Sequence, residues 1–325
     1  MDKKKSKAWL GAMRLRTLPL SFSVIIAGNA LAFDYLKVGH MYDREFSWVI
    51  LSLTLLTTLL LQVLSNLAND YGDAKKGTDN ENRVGPERAV QSGVISLNQM
   101  KKGIVICSLL AFISGILLLF YAFKGSFSLN FFLFLGLGLL CIAAAIKYTV
   151  GKKAYGYHAL GDLFVFIFFG FVGVFGSFTM QASTQILADY VIWPVIILSV
   201  MMGAICTMVL NLNNMRDIVN DEAVGKNTLV VKLGPSKAKI YHFILFFLFW
   251  GPIFAYYWIA ITYGNTDVIT HPVTVIIALL LIFHVIHMIK VIKTTEPHKF
   301  DSELKKIAIS SFIFSVVLLV TFMIQ

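Results

Sequence analysis

Two short stretches of the chain gather carboxylates and amides at helical spacing. The first runs Asn66, Asn69, Asp70, Tyr71, Asp73 and continues through Gly77 and Thr78 to Asp79. Asn66, Asn69, Asp70 and Asp73 follow i, i+3, i+4, i+7, so a helix places them on one stripe. The second runs Asn213, Asn214, Arg216, Asp217, Asn220, Asp221, and its Asn213, Asp217 and Asp221 step by four. Each stretch closes a long apolar run. Oxygen ligands of this kind suit Mg²⁺, a hard cation usually held by a few carboxylates together with substrate phosphates. Two such clusters facing each other can grip one diphosphate through metal ions. A single Asp at a helix end would be read as a cap or a solvated interfacial group. Of the 18 acidic residues, however, eight fall in these two stretches: Asp70, Asp73, Asp79, Glu81, Glu87, Asp217, Asp221 and Glu222. Ionisable groups concentrated at the membrane edge of a bundle are functional candidates.

The elements that must carry these clusters are membrane spans. Of the 325 residues, 57% are hydrophobic and 14% charged, and the mean hydropathy is +0.75. Apolar runs at Thr17–Leu36, Ser47–Leu67, Gly103–Phe123, Leu129–Ile146, Ala159–Met180, Tyr190–Leu212, Ile240–Thr262, Val268–Ile289 and Ile307–Ile324 are each near the roughly 20 residues a bilayer-crossing helix needs. The expected fold is an all-α polytopic membrane bundle of about nine transmembrane helices, a single domain over 1–325. Lys3, Lys4, Lys5 and Lys7 before the first run also fit a signal peptide, but the run is long for one. With the N-terminus inside, all but Lys37, Arg44 and Lys124 of the 28 lysines and arginines lie on the inner side. The positive-inside rule then sets the C-terminus outside. The net charge of +10 is explained by this asymmetry and calls for no nucleic acid. Both acidic clusters fall on the inner, cytoplasmic face, since four spans separate them.

Other features carry less. Cys107, Cys141 and Cys206 lie inside apolar runs and read as packing. His284 and His287 are three apart with no third ligand near in sequence, and read as structural. The glycines at 136, 138, 170, 173 and 176 follow no strand, so they form no dinucleotide fingerprint. Close helix packing is their ordinary use. Tyr148 and Lys152, four apart at the inner end of the fourth span, fit a phosphate contact or an interfacial anchor equally well.

The paired clusters resemble the Asp motifs of the UbiA superfamily of intramembrane prenyltransferases. The first departs from the general family pattern, with Gly77 where a further Asp is usual and Asp79 two residues later. That departure resembles the 1,4-dihydroxy-2-naphthoate polyprenyltransferases of menaquinone synthesis, whose pattern is met by Asn66, Asn69, Asp70, Tyr71, Asp73, Gly77, Asp79, Arg83, Gly85 and Pro86. Arg216 through Asp221, Gly225 through Leu229, Arg16-Thr17-Leu18-Pro19 and Tyr148 through Lys152 are similar to that branch as well. The resemblance spans roughly Arg14 to Gly234.

It implies a Mg²⁺-dependent enzyme of the bacterial cytoplasmic membrane, acting at the cytoplasmic side. The implied substrates are a long-chain polyprenyl diphosphate and 1,4-dihydroxy-2-naphthoate, which loses its carboxylate on prenylation. The implied metal ligands are Asn69, Asp70, Asp73, Asp79, Asp217 and Asp221. Asp70, Asp73, Asp217, Asp221 and Tyr148 are the implied catalytic groups. Asn66, Asn69, Arg16, Arg83, Arg88, Lys152, Arg216 and Lys226 are the implied substrate contacts. A sibling acting on 4-hydroxybenzoate or homogentisate would share the motifs. A cation-coupled transporter would place its polar groups nearer the bilayer midplane.

Overall fold

Lipid offers no hydrogen bonds to a bare backbone, so a chain this apolar must satisfy its peptide groups within helices. A computed structural model describes residues 3–38, 45–80, 84, 88–182, 192–265 and 267–324. The helices are α1 (Lys3–Met13), α2 (Leu18–Val38), α3 (Trp48–Lys76), α4 (Leu97–Ala122), α5 (Leu129–Lys147), α6 (Gly161–Val165), α7 (Gly176–Ala182), α8 (Ile192–Ala223), α9 (Leu229–Thr262), α10 (Asp267–Thr270), α11 (Pro272–Lys293) and α12 (Phe300–Ile324). Between α6 and α7 the chain winds as a π-helix, Phe166–Phe175, so residues 161–182 form one continuous span. Among the described residues nine helices are long and apolar enough to cross a membrane.

Short polar side chains start these helices. Ser47 accepts from the Ile50 amide at the head of α3. Ser96 and Gln99 form a reciprocal cap on α4. Ser128 and Thr228 serve α5 and α9 in the same way as Ser47. Gly77 closes α3 at φ 74, a left-handed conformation that glycine adopts without a Cβ penalty. The position where the wider family pattern has Asp is thus a helix cap here, and Asp79 lies beyond the turn.

The inner bounds of two spans are corrected. The second and sixth spans do not stop at Leu67 and Leu212. α3 runs on to Lys76 and α8 to Ala223, so the stripe from Asn66 to Asp73 and the second cluster are helical. The N-terminal segment is also a helix, α1, joined to α2 by a turn in which Arg14 has φ 48.

α8 is the central element and is buried along most of its length. It packs on α9, the π-helix and α12, while α2 packs on α12. Small residues permit the closest crossing. A Cβ at Gly170 of the π-helix would stand 2.4 Å from the Ser199 carbonyl oxygen and 2.9 Å from Gly203 Cα on α8, so backbone meets backbone there. α5 is the opposite case. It leans on α3 and α4, and Phe131 is its one buried residue.

Candidate active site

α3 presents its polar stripe inward at one end of the bundle, where Asn66, Asp70 and Asp73 are almost fully buried. Asn66 donates to the Met13 carbonyl at 2.9 Å, which ties the end of α1 to this stripe. The Thr149 hydroxyl lies 3.2 Å from Asn69 Oδ1 and 3.0 Å from the Ala68 carbonyl. That contact depends on Gly72, since a Cβ there would meet Thr149 at 2.7 to 2.8 Å. Asp70 Oδ1 accepts from both Arg14 and Arg88. Arg88 also stands 3.6 Å from Asp73 and 3.5 Å from Asp79, so one guanidinium serves three carboxylates.

α8 supplies the facing stripe. Arg216 holds Asp217 in a two-bond fork of 2.9 and 2.7 Å. The same guanidinium donates to Asn213 at 2.8 Å and to Asp301 of α12 at 2.7 Å. Asp221 Oδ1 is 3.3 Å from Lys226 Nζ. Its Oδ2 is buried and has no hydrogen-bond partner among the described residues.

The two stripes are stitched together by residues that the motif reading passed over. Tyr157 donates to Asp73 Oδ1 at 2.7 Å and lies 2.6 Å from the Thr78 hydroxyl. The Thr78 carbonyl accepts from Asn220 of α8 at 3.1 Å. Lys76 and Lys226 stand 3.6 and 5.7 Å from the centre of the Tyr157 ring. His158 pairs with Asn227, joining the loops that carry Tyr157 and Lys226. Burial raises the pKa of Tyr157, and the Asp73 charge adds to it, so the phenol keeps its proton and donates. Burial pulls the Lys226 ammonium down, but Asp73, Asp221 and Asp217 together outweigh that, and its pKa is raised. Tyr148 is likewise held as a neutral phenol, by burial first and then by Asp162 and Asp73.

All of this opens onto one cavity of about 990 Å³. Asn66, Asn69, Asp70, Asp73, Arg16, Arg88, Tyr148, Arg216, Asp217, Asp221 and Lys226 line it, with Asn213 and Asn220. Lys152 does not. It sits on an exposed turn, whereas Lys226, on the loop between α8 and α9, reaches Asp221. Asp79 lies behind Arg88 and off the cavity wall. Arg83, Gly85 and Pro86 lie outside the described residues. Arg14, which the motif reading left aside in favour of Arg16, reaches Asp70. Away from the carboxylates the wall turns apolar and aromatic. Tyr155 stands at 5.3 Å from Tyr148 and stacks on Phe164 at 4.1 Å, and Phe168 follows at 5.9 Å.

Among the described residues no three His, Cys, Asp or Glu converge closely enough to form a ready metal cage. Arginine and lysine stand between the carboxylates instead. The donor set still fits a hard divalent cation. It is made of carboxylate and amide oxygens, and the partnerless Asp221 Oδ2 is a buried acceptor on the cavity wall.

The chain is 44% identical over 245 residues, 75% of each chain, to the 1,4-dihydroxy-2-naphthoate octaprenyltransferase of Haemophilus influenzae. It is 46% identical over 239 residues to the enzyme of that name from Escherichia coli, covering 73% of this chain and 72% of that one. A solved UbiA homolog from Aeropyrum pernix shares the fold, with TM-score 0.62 at 16% identity over 96% of this chain and 98% of that one. Prenyltransferases of this type are generally metal-dependent. Residues 39–322 match the UbiA prenyltransferase family, and the chain belongs to it.

Proposed function

We propose that the protein transfers a polyprenyl chain from its allylic diphosphate to 1,4-dihydroxy-2-naphthoate, with loss of the carboxylate as CO₂. The observation that carries this reading is the convergence of both carboxylate stripes on one cavity whose remaining wall is aromatic and apolar. Relatives 44% and 46% identical to the chain bear the name of that activity.

The chemistry follows from the wall. The diphosphate binds at the charged end, where Lys226, Arg14 and Arg88 offer cations. Asp70, Asp73, Asp217 and Asp221 would hold Mg²⁺, which would supply the charge that makes diphosphate a good leaving group. The carbon–oxygen bond breaks with its electron pair going to the diphosphate. The allylic cation that remains lies against the Tyr148 and Tyr155 faces, which favour positive charge, in a cavity that keeps water away. An electron-rich ring carbon of the acceptor attacks it. Loss of CO₂ returns a bonding pair to the ring.

The site is read as cytoplasmic, in the bacterial inner membrane, because the basic residues cluster at that end. A reporter fused after Gln325 is expected in the outer compartment, and a cytoplasmic signal would reverse the orientation. The function is tested with purified protein, labelled octaprenyl diphosphate, Mg²⁺ and a panel of aromatic acids. Dihydroxynaphthoate is expected to be prenylated with release of CO₂, and 4-hydroxybenzoate to be a poor acceptor. Comparable kcat/KM for the two acids, or product that keeps its carboxylate, would move the protein to a sibling activity.

A further inference from the structure

A further buried carboxylate, Asp162 of α6, stands apart from both polar stripes and is 3% exposed. Phe164 and Val165 of the same short helix line the cavity, and Asp162 does not. Two steps along an α-helix turn a side chain through about 200°, so Asp162 lies behind the wall that Phe164 forms.

Glycines bring this carboxylate close to Tyr148. A Cβ at Gly156 would stand 3.1 Å from Tyr148 Cζ, and one at Gly161 would stand 3.3 Å from Cε2 and 3.4 Å from the hydroxyl. The phenol therefore lies against the backbone next to Asp162, while Tyr148 also lines the cavity. Of the carboxylates that act on this phenol, Asp162 acts most strongly, ahead of Asp73 and Asp221.

Asp162 is also sparingly partnered. The Tyr241 hydroxyl of α9 donates to it. Its Oδ1 is buried with no hydrogen-bond partner among the described residues, and no lysine or arginine among them pairs with it. Asp70, Asp73, Asp217 and Asp221 each have a cation beside them. A buried oxygen left in this state costs stability. The same lack of a counter-charge leaves its field undiminished in a medium of low dielectric.

We propose that Asp162 is a positioning residue for the reaction, a fixed negative charge behind Tyr148 that makes the ring a better seat for the allylic cation. The inference rests on the prenyl-transfer reading and adds to it a group outside both carboxylate stripes. In the bound donor the allylic carbon is neutral, and Asp162 gains little by it. As the carbon–oxygen bond breaks and its electron pair leaves with the diphosphate, the carbon becomes positive and the attraction grows. An interaction that strengthens only on the way to the transition state raises kcat and leaves KM nearly alone.

The test is Asp162→Asn in the full-length protein, a change that keeps the shape and removes the charge. With farnesyl diphosphate and dihydroxynaphthoate, kcat should fall by about tenfold or more, while KM for each substrate stays within about twofold. The Tm should not fall, since an unpaired buried carboxylate is lost. Two donor analogues supply a readout independent of turnover. A farnesyl analogue with a protonated amine at the allylic carbon, given with inorganic diphosphate, should bind about tenfold more weakly to the variant. Farnesyl thiolodiphosphate, neutral at that carbon, should bind within about twofold of the unaltered protein. In a Tyr148→Phe background the same substitution should cost less than about threefold, because the two residues act as one unit. Unchanged kcat, equal weakening of both analogues, or the full tenfold cost without the Tyr148 hydroxyl would overturn the proposal while leaving prenyl transfer intact. Failure of the unaltered protein to prenylate the acceptor would instead overturn the proposed function, and this role with it.

Discussion

Two of the buried polar networks among the described residues invite comparison, and only one of the two faces the cavity. In the seam between α8, α9, α11 and α12, Asn211 lies 3.0 Å from His242, which lies 3.0 Å from His287, which lies 2.8 Å from Glu303. Alongside, Trp250 donates to His284 at 2.9 Å, and His284 lies 2.7 Å from Ser310. None of these residues touches the cavity. Their partners are neighbouring side chains fixed by helix packing. The carboxylates of α3 and α8 are as deeply buried, but they and their cations line an open cavity. Asp70 is held by Arg14 and Arg88, and Asp221 by Lys226 on one oxygen. A divalent ion can take the place of those cations beside the carboxylates, and phosphate oxygens can take the place of the carboxylates on the cations. Burial, polarity and convergence are common to both networks. Exchangeable partners distinguish the working one.

The largest effect that would sharpen this contrast is loss of a carboxylate. Asp73→Asn or Asp221→Asn should lower kcat for prenyl transfer by on the order of a hundred- to thousandfold while leaving the detergent-purified protein monodisperse. Near-normal turnover in both would remove the distinction. Next, Tyr157→Phe deletes the donor to Asp73 but keeps the ring beneath the lysines. It should cost about tenfold in kcat, the scale of one hydrogen bond to a charged acceptor.

In the seam the order reverses. His287→Ala should lower stability by about 2 kcal/mol, because Glu303 and His242 lose a buried partner, and it should show as a lower Tm. Its kcat/KM should remain within about threefold of the unaltered protein, since the seam meets no substrate. A hundredfold kinetic loss there would show that the seam takes part in the reaction.

The smallest effect concerns pH. A raised lysine pKa means that Lys226 is charged below its unfolded value, near 10.5, and that its contribution is lost only as pH rises through the higher folded value. The alkaline limb of the rate profile should therefore show no inflexion from Lys226 below 10.5. An inflexion below that value that disappears in Lys226→Arg would show the ammonium to be less well held than its neighbours imply.

The sequence disclosed what repeats along a helix. Steps of three and four brought Asn66, Asn69, Asp70 and Asp73 onto one stripe, and did the same for Asn213, Asp217 and Asp221. Hydropathy located nine spans. Groups that arrive from elsewhere in the chain were hidden. Arg14 reaches Asp70 across 56 positions, by way of a left-handed turn with no sequence mark. Tyr157 reaches Asp73 across 84. Lys152 and Lys226 were both implied as substrate contacts by the resemblance, and only the folding of their loops separates them. Hydropathy also ended α3 and α8 too soon, because a helix outlasts its apolar segment when its polar end is buried in protein.

The π-helix has a consequence for how this chain tolerates change. A π turn holds more residues than an α turn, so Phe166–Phe175 is a register that a one-residue deletion can relax into ordinary helix. A deletion that did not relax in this way would leave the span long enough for the membrane, yet turn everything after it by roughly 100°. Gly176 and Ser177 would swing away from the cavity, and Gly170 would lose its fit to Gly203. Insertions and deletions in this span should therefore be harsher than substitutions, and its length should be among the least variable quantities in the bundle.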